Sequence, residues 1–148
     1  MAEMTIREAE ESDLKGLLEL YTHLGDNPVP EINESLVELW HKILSSESQR
    51  VIVGLAGGEL VSSCVLIVVR NLSHGQRPYA FVENVVTHAA YRNRGCATRV
   101  LDYARDAAVR EGCYKIMLLT GSKRESTLRF YEKAGYDRSI KTGFIQPL

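Results

Sequence analysis

The residues with the most chemical capacity fall in one stretch, Val85-Val86-Thr87-His88-Ala89-Ala90-Tyr91-Arg92-Asn93-Arg94-Gly95-Cys96-Ala97. It reads as a buried strand running into a turn with two arginines, where a glycine opens a helix. Such a junction suits an anion. The first amides of a helix have no internal acceptor, and the helix dipole concentrates partial positive charge there. Gly95 lets a ligand approach the backbone closely, and small Ala97 does not block it. Arg92 and Arg94 add charge suited to phosphates. A solvated, basic helix start with a tight turn is the plainer reading of the same residues. The segment is not a Walker A loop, because no GxxxxGK[ST] occurs and Gly121-Ser122-Lys123 lacks the leading glycine. Nor is it the GxGxxG of a dinucleotide fold.

Other reactive side chains are weighed one by one. Glu83 lies inside the run Ala80 to Val86, where a carboxylate is costly to bury without a purpose or a partner. It is a candidate general base, or else it faces solvent or binds polar groups of a substrate. Cys96 sits at a helix N-terminus, where a thiol pKa can fall, but no histidine partner is evident. His23, His41, His74 and His88 have no metal-ligand spacing, so no metal is expected. Lys123, Arg124 and Arg129 could bind an anionic substrate or a cofactor phosphate, although most of them read as a solvated helix face.

The elements that must position these residues follow from periodicity. Met4 to Arg7 predicts a short strand, and a helix follows from about Ser12 as N-cap, with Leu14, Leu17, Leu18 and Tyr21 inward and Gly25 ending it. After the stiff loop Asp26 to Pro30, a second helix is expected from about Asn33 to Leu44, with Leu36, Leu39, Trp40 and Ile43 inward. Val51 to Ala56 and Leu60 to Arg70 are rich in β-branched residues and join at Gly57-Gly58 as a hairpin. A strand follows from Tyr79 to Thr87. The strongest helical pattern begins at Gly95 and carries Ala97, Val100, Leu101, Ala104 and Ala108 until Gly112 stops it. Tyr114 to Thr120 is expected as a buried strand. Ser122 and Glu125 form a capping box for a last helix ending at Gly135, and Ser139 to Ile145 is expected as a final strand. The unit from Tyr79 to Thr120 should make parallel neighbours through a right-handed crossover.

Size and composition bound the rest. A chain of 148 residues suits one domain, residues 1–148, with ordinary apolar and charged fractions of 45% and 25%. The formal net charge of −1 argues against a broad nucleic-acid face. Three cysteines without CxxC spacing favour a reduced, cytoplasmic setting. Met1-Ala2-Glu3-Met4 has neither a charged n-region nor an apolar h-region, which predicts no secretory signal. No apolar stretch is long enough to span a bilayer as a helix, so no membrane is expected.

Two motifs together carry a family resemblance. Arg92-Asn93-Arg94-Gly95-Cys96-Ala97 matches [QR]-x-x-G-x-[GA], and Phe130-Tyr131-Glu132-Lys133-Ala134-Gly135-Tyr136 looks like F-Y-x-x-x-G-[FY]. At this separation and on these elements, essentially the whole chain resembles the GNAT superfamily of N-acetyltransferases. Phe81 to Val86, Cys113 to Ile116 and Phe130 to Lys133 are similar to glucosamine-6-phosphate N-acetyltransferases. Glu83-Asn84 stands where those enzymes typically carry paired acids, and Arg124 and Thr127 stand where an asparagine is often found.

The resemblance implies an α/β (α+β) fold with a central, mixed and mostly antiparallel sheet, flanked by about four helices. Its parallel strand pair should splay near Val85 and Ile116 to admit acetyl-CoA as co-substrate. Backbone groups of Val85, Val86 and Thr87 would hold the pantetheine arm, with a strand amide near Val85 or Val86 at the thioester oxygen. Amides of Arg92, Asn93, Arg94, Gly95, Cys96, Ala97 and Thr98 would hold the pyrophosphate. Tyr131 is implied as general acid, although an amphipathic tyrosine packed on the core is its usual fate. The loop from Asp26 to Glu31 would line the acceptor pocket. The expected partner is a small-molecule amine, reached by direct transfer in a ternary complex, and a homodimer is implied. A non-catalytic acyl-CoA-binding regulatory module, a decayed dimerisation domain and an acetyltransferase for protein amino groups stand as alternatives.

Overall fold

The computed structural model of the protein describes residues 3–148; Met1-Ala2, read above for a secretory signal, lies outside the described residues. A sheet in the order β1 (Met4–Glu8), β2 (Gln49–Ala56), β3 (Glu59–Val69), β4 (Tyr79–Thr87) and β5 (Ile116–Leu118) forms the centre. The first four strands are antiparallel, and β4 pairs with β5 in parallel. Helices α1 (Leu14–Leu20) and α2 (Glu34–Leu44) cover one face. Helices α3 (Cys96–Arg110) and α4 (Glu125–Lys133) cover the other. No described helix is long and apolar enough to cross a membrane.

Alternation on the strands explains both layers. Ile52, Cys64, Leu66, Ala80 and Val82 point to the α3 side and meet Val100, Leu101, Ala104, Ala107 and Ala108. Small alanines on one stripe let α3 lie close to the sheet. Val51, Val53 and Val65 point the other way, onto Leu17, Leu20 and Trp40. The Trp40 indole donates to the Glu11 carbonyl at 3.1 Å, which ties α2 to the start of the first arm.

Several expectations change. Ser12 is no cap: a 3-10 turn over Glu11–Asp13 precedes α1, and Asp13 accepts from the Glu10 amide at 2.7 Å and from Arg7 at 2.6 and 3.1 Å. The Arg7 guanidinium holds the Asp13 carboxyl below the usual carboxylate range. Helix α1 ends at Leu20 in a second 3-10 turn, Tyr21–His23, before Gly25. Leu39 is 53% exposed, and Leu44 packs inward beside Trp40 and Ile43 instead. Strand β5 is shorter than the expected Tyr114–Thr120 and only half-buried, because it lies at the sheet edge. Ser122 does not cap α4. Its hydroxyl accepts from the Arg124 amide at 3.3 Å and bonds Thr127 at 3.1 Å, while Arg124 is the N-cap without a side-chain bond. Ser139 to Ile145 forms no strand; Ile140, Phe144 and Ile145 are exposed.

Candidate active site

The site begins with an irregularity in β4. Val65 pairs with Glu83 but Ser63 pairs with Val86, so β4 holds one extra residue there. Asn84 takes up the bulge in the left-handed region, at φ 51°. Asparagine tolerates this conformation better than most residues because its short amide can bond locally. The insertion reverses the parity of the strand. Before it, Ala80 and Val82 face α3; after it, Val86 faces α1 and Val85 packs on the α3 side. Glu83 shares the face of its partner Val65, on the α1–α2 side, and is exposed. The cost of burial that singled Glu83 out therefore does not apply, since its side chain is exposed.

Pairing with β5 ends where the bulge begins. The register Ala80–Ile116, Phe81–Met117, Val82–Leu118 is the whole of it. Ile116 itself is paired with Ala80, so the splay opens beyond Val82 and Leu118 rather than at Ile116. From Glu83 to Thr87 the β5 side of β4 has no strand beside it. Its β3 side is closed: Ser62 Oγ donates to the Val86 carbonyl at 3.1 Å and bonds Thr87 Oγ1 at 2.9 Å. Open edge peptides demand water or a ligand as partner.

The strand leads into a 3-10 turn, Ala89–Tyr91, and then into α3. Gly95 is the N-cap at φ 79°, a conformation strained for any side chain, and the space a Cβ would occupy is empty. The first helical bond runs from the Arg99 amide to the Gly95 carbonyl at 3.1 Å. The amides of Cys96, Ala97 and Thr98 thus have no intrahelical acceptor. Asn93 also adopts positive φ, 61°, and Arg92, Asn93, Arg94 and Gly95 are exposed. Arg94 lies over the Tyr91 ring at 5.4 Å. Arg92 is turned back on the chain, donating to the carbonyls of Thr87 and His23, each at 3.4 Å. The open edge, the orphan amides and the space before Gly95 fit an extended ligand ending in phosphates.

Tyr131 lies on α4, half-buried, against the same buried cluster that Val85 and Leu118 touch. Its ring meets Phe130 at 5.1 Å and Tyr136 at 6.3 Å, both edge-on. Burial pushes its phenol above the usual range, so it is protonated at neutral pH. Tyr131 and Glu83 lie on opposite faces of the sheet. Burial pushes the Cys64 thiol up to about 12 and raises that of Cys113.

Residues not foreseen complete the picture. Tyr21, from the arm after α1, sits beside Asn84; burial raises its phenol and the Asn84 amide partly offsets this. The rings of His23 and His88 meet at 4.2 Å, tilted by 39°. A clue to the bulge was present, since Glu83-Asn84 interrupts an otherwise apolar run. A shallow depression of about 710 Å³ beside α2 is lined by Glu31, Glu34 and Glu38. Three carboxylates disfavour a phosphate there.

Comparison with known proteins agrees with this geometry. The model of the acetyltransferase (GNAT) family matches residues 16–136. Glucosamine 6-phosphate N-acetyltransferase of Trypanosoma brucei brucei is 28% identical over 137 residues, 92% of this chain and 90% of the relative. A solved structure from Agrobacterium tumefaciens str. C58 superposes with a TM-score of 0.91 at 36% identity, covering 97% of this chain and 99% of that one. A Trypanosoma brucei acetyltransferase structure superposes with a TM-score of 0.83 at 25% identity, covering 98% and 100%. With an open β4 edge, a glycine-led turn into α3 and a family match over most of its length, the chain belongs to the acetyltransferase (GNAT) family and is an acyltransferase.

Proposed function

We propose that this protein moves the acetyl group of acetyl-CoA directly to a primary amine of a small molecule within a ternary complex. The observation that carries the reading is the open β4 edge from Glu83 to Thr87, which leads through the turn Ala89–Tyr91 to the orphan amides after Gly95. Peptide groups of Val85, Val86 and Thr87 bind the extended arm of the co-substrate as an added strand would. Amides of Arg92 to Thr98 and the Arg94 guanidinium hold its phosphates.

Tyr131 donates its phenolic proton to the sulfur as the carbon–sulfur bond breaks and the new carbon–nitrogen bond forms. Its half-buried place against the buried cluster that Val85 and Leu118 also touch supports that role. Glu83 takes the proton released by the acceptor nitrogen, directly or through a water. The exposed carboxylate on the α1–α2 face supports an approach of the amine from that side. The name of the trypanosomal relative makes a hexosamine 6-phosphate the first acceptor to try. A homodimer is proposed on resemblance alone, and a monomer mass in sedimentation would remove it.

The test is thiol release from acetyl-CoA with a panel of amines: glucosamine 6-phosphate, an aminoglycoside, a polyamine and a peptide. Turnover of a small amine with intersecting initial-rate lines is the expected result. Parallel lines with a trapped acetyl-cysteine would overturn the direct mechanism. Tight acetyl-CoA binding with no turnover would make the chain a binding module instead.

A further inference from the structure

His23 and His88 lie between the arm after α1 and the turn that leads to Gly95. Their ring centroids are 4.2 Å apart with planes inclined at 39°. Each ring gives its Nδ1 lone pair to a backbone donor of that turn. The Ala89 amide donates to His23 Nδ1 at 3.2 Å, and the Ala90 amide donates to His88 Nδ1 at 3.0 Å. Both imidazoles therefore accept at Nδ1, which requires the proton of each neutral ring to sit on Nε2. Arg92 adds a third tie, donating to the His23 carbonyl while its Nε reaches the Thr87 carbonyl. The arm and the turn are thus fastened at the point where the proposed phosphate site begins.

We propose that His23 is a positioning residue for acyl-CoA: through the Ala89 amide and Arg92 it holds the turn in the shape that presents the amides of Arg92 to Thr98, and acidification loosens that hold. The inference rests on the placement of acyl-CoA given above. Protonation of His23 would set an Nδ1–H against the Ala89 N–H, two donors face to face, and a second cation beside Arg92.

The neighbours do not neutralise that charge. His88 and Arg92 face His23 from the turn, and Tyr91 meets His88 edge-on at 5.8 Å. Arg94 lies over Tyr91, and the acid in this chain of contacts, Glu59, bonds the Tyr91 hydroxyl at 3.4 Å, one ring removed from His88. Burial, then His88 and Arg92, hold His23 below the ordinary imidazole range. The fastened state therefore keeps its full advantage above the ordinary imidazole pKa, about 6.5, and loses it as pH falls below that value.

Titration calorimetry of the full chain with acetyl-CoA at pH 7.5 and pH 6.0 tests this. At pH 7.5, His23→Ala should weaken binding by about 3- to 10-fold, the range of one hydrogen bond. His23→Asn keeps an acceptor oxygen that does not titrate and should restore most of the affinity. Wild type should lose affinity on acidification by several fold more than the double variant His23→Asn/His88→Asn. Ionisation of the ligand's own phosphates is common to both and cancels. Wild-type affinity in His23→Ala at pH 7.5, or equal pH slopes in wild type and the double variant, would overturn the inference while leaving the acyltransferase reading intact. No binding of acetyl-CoA by wild type would overturn both.

Discussion

From Ala80 to Val82, strand β4 has β3 on one side and β5 on the other, whereas from Glu83 to Thr87 only the β3 side is filled. The first half is structure. Ala80 and Val82 are fully buried against α3, and their peptide groups complete the sheet. The second half carries a bulged asparagine at positive φ, an exposed carboxylate and an open edge. One continuous strand thus joins a region that gains stability by satisfying its backbone to one that leaves backbone free for a partner. Packing of the first half fixes where the open peptides of the second half point.

The contrast predicts that substitutions in the two halves separate chemistry from stability. Tyr131→Phe, at the proposed general acid, should lower kcat by about 10²- to 10⁴-fold, the range for such a loss. Acetyl-CoA affinity and the unfolding midpoint should barely move, and an unchanged kcat would return Tyr131 to the core. Leu66 pairs with Val82 in the closed half and is fully buried. Leu66→Ala should cost about 2–5 kcal/mol in denaturant unfolding, with acetyl-CoA affinity retained well below the transition.

Smaller effects refine the comparison. Asp13 braces the first arm, which lies over the open half, through its two bonds to Arg7. Asp13→Asn should cost about 1.5–3 kcal/mol, as for hydrogen bonds to charged groups. Because the folded state lowers the Asp13 pKa, that stability is present above the ordinary carboxylate value. It is lost as pH falls through the depressed folded value, so wild type and variant should converge in acid. At the bulge, Asn84→Val should cost about 1–3 kcal/mol through backbone strain, whereas Asn84→Gly should be near neutral. Equal stabilities would mean that the bulge relaxes when asparagine is lost.

Much of this division was legible in the residues, and the exceptions have physical reasons. The α3 stripe of Val100, Leu101, Ala104 and Ala108 and the turn at Gly95 are local patterns, and periodicity reads local patterns well. Leu39 went wrong because α2 is covered on a narrow face only: the sheet reaches Trp40, Ile43 and Leu44 but not Leu39. Ser122 and Glu125 have the spacing of a capping box, yet the Ser122 hydroxyl bonds Thr127 instead. The tail from Ser139 to Ile145 has strand-forming residues yet adds no strand to the sheet, although Gly143 lies close against Leu119 just after β5. Glu83-Asn84 marked a break in the strand, but its meaning as a bulge depends on the register with β3. His23 and His88 are far apart in sequence, so their meeting is purely tertiary and no spacing announces it.

The most direct test is amide hydrogen exchange with and without acetyl-CoA, read residue by residue along β4 and into α3. Added protection should appear at Val85 to Thr87 and at Cys96 to Thr98, with little change at Ala80 to Val82, where both sides are already bonded. Unchanged exchange in those two segments, or protection confined to the depression beside α2, would contradict the claim that the open half of β4 and the Gly95 turn form the acyl-CoA site.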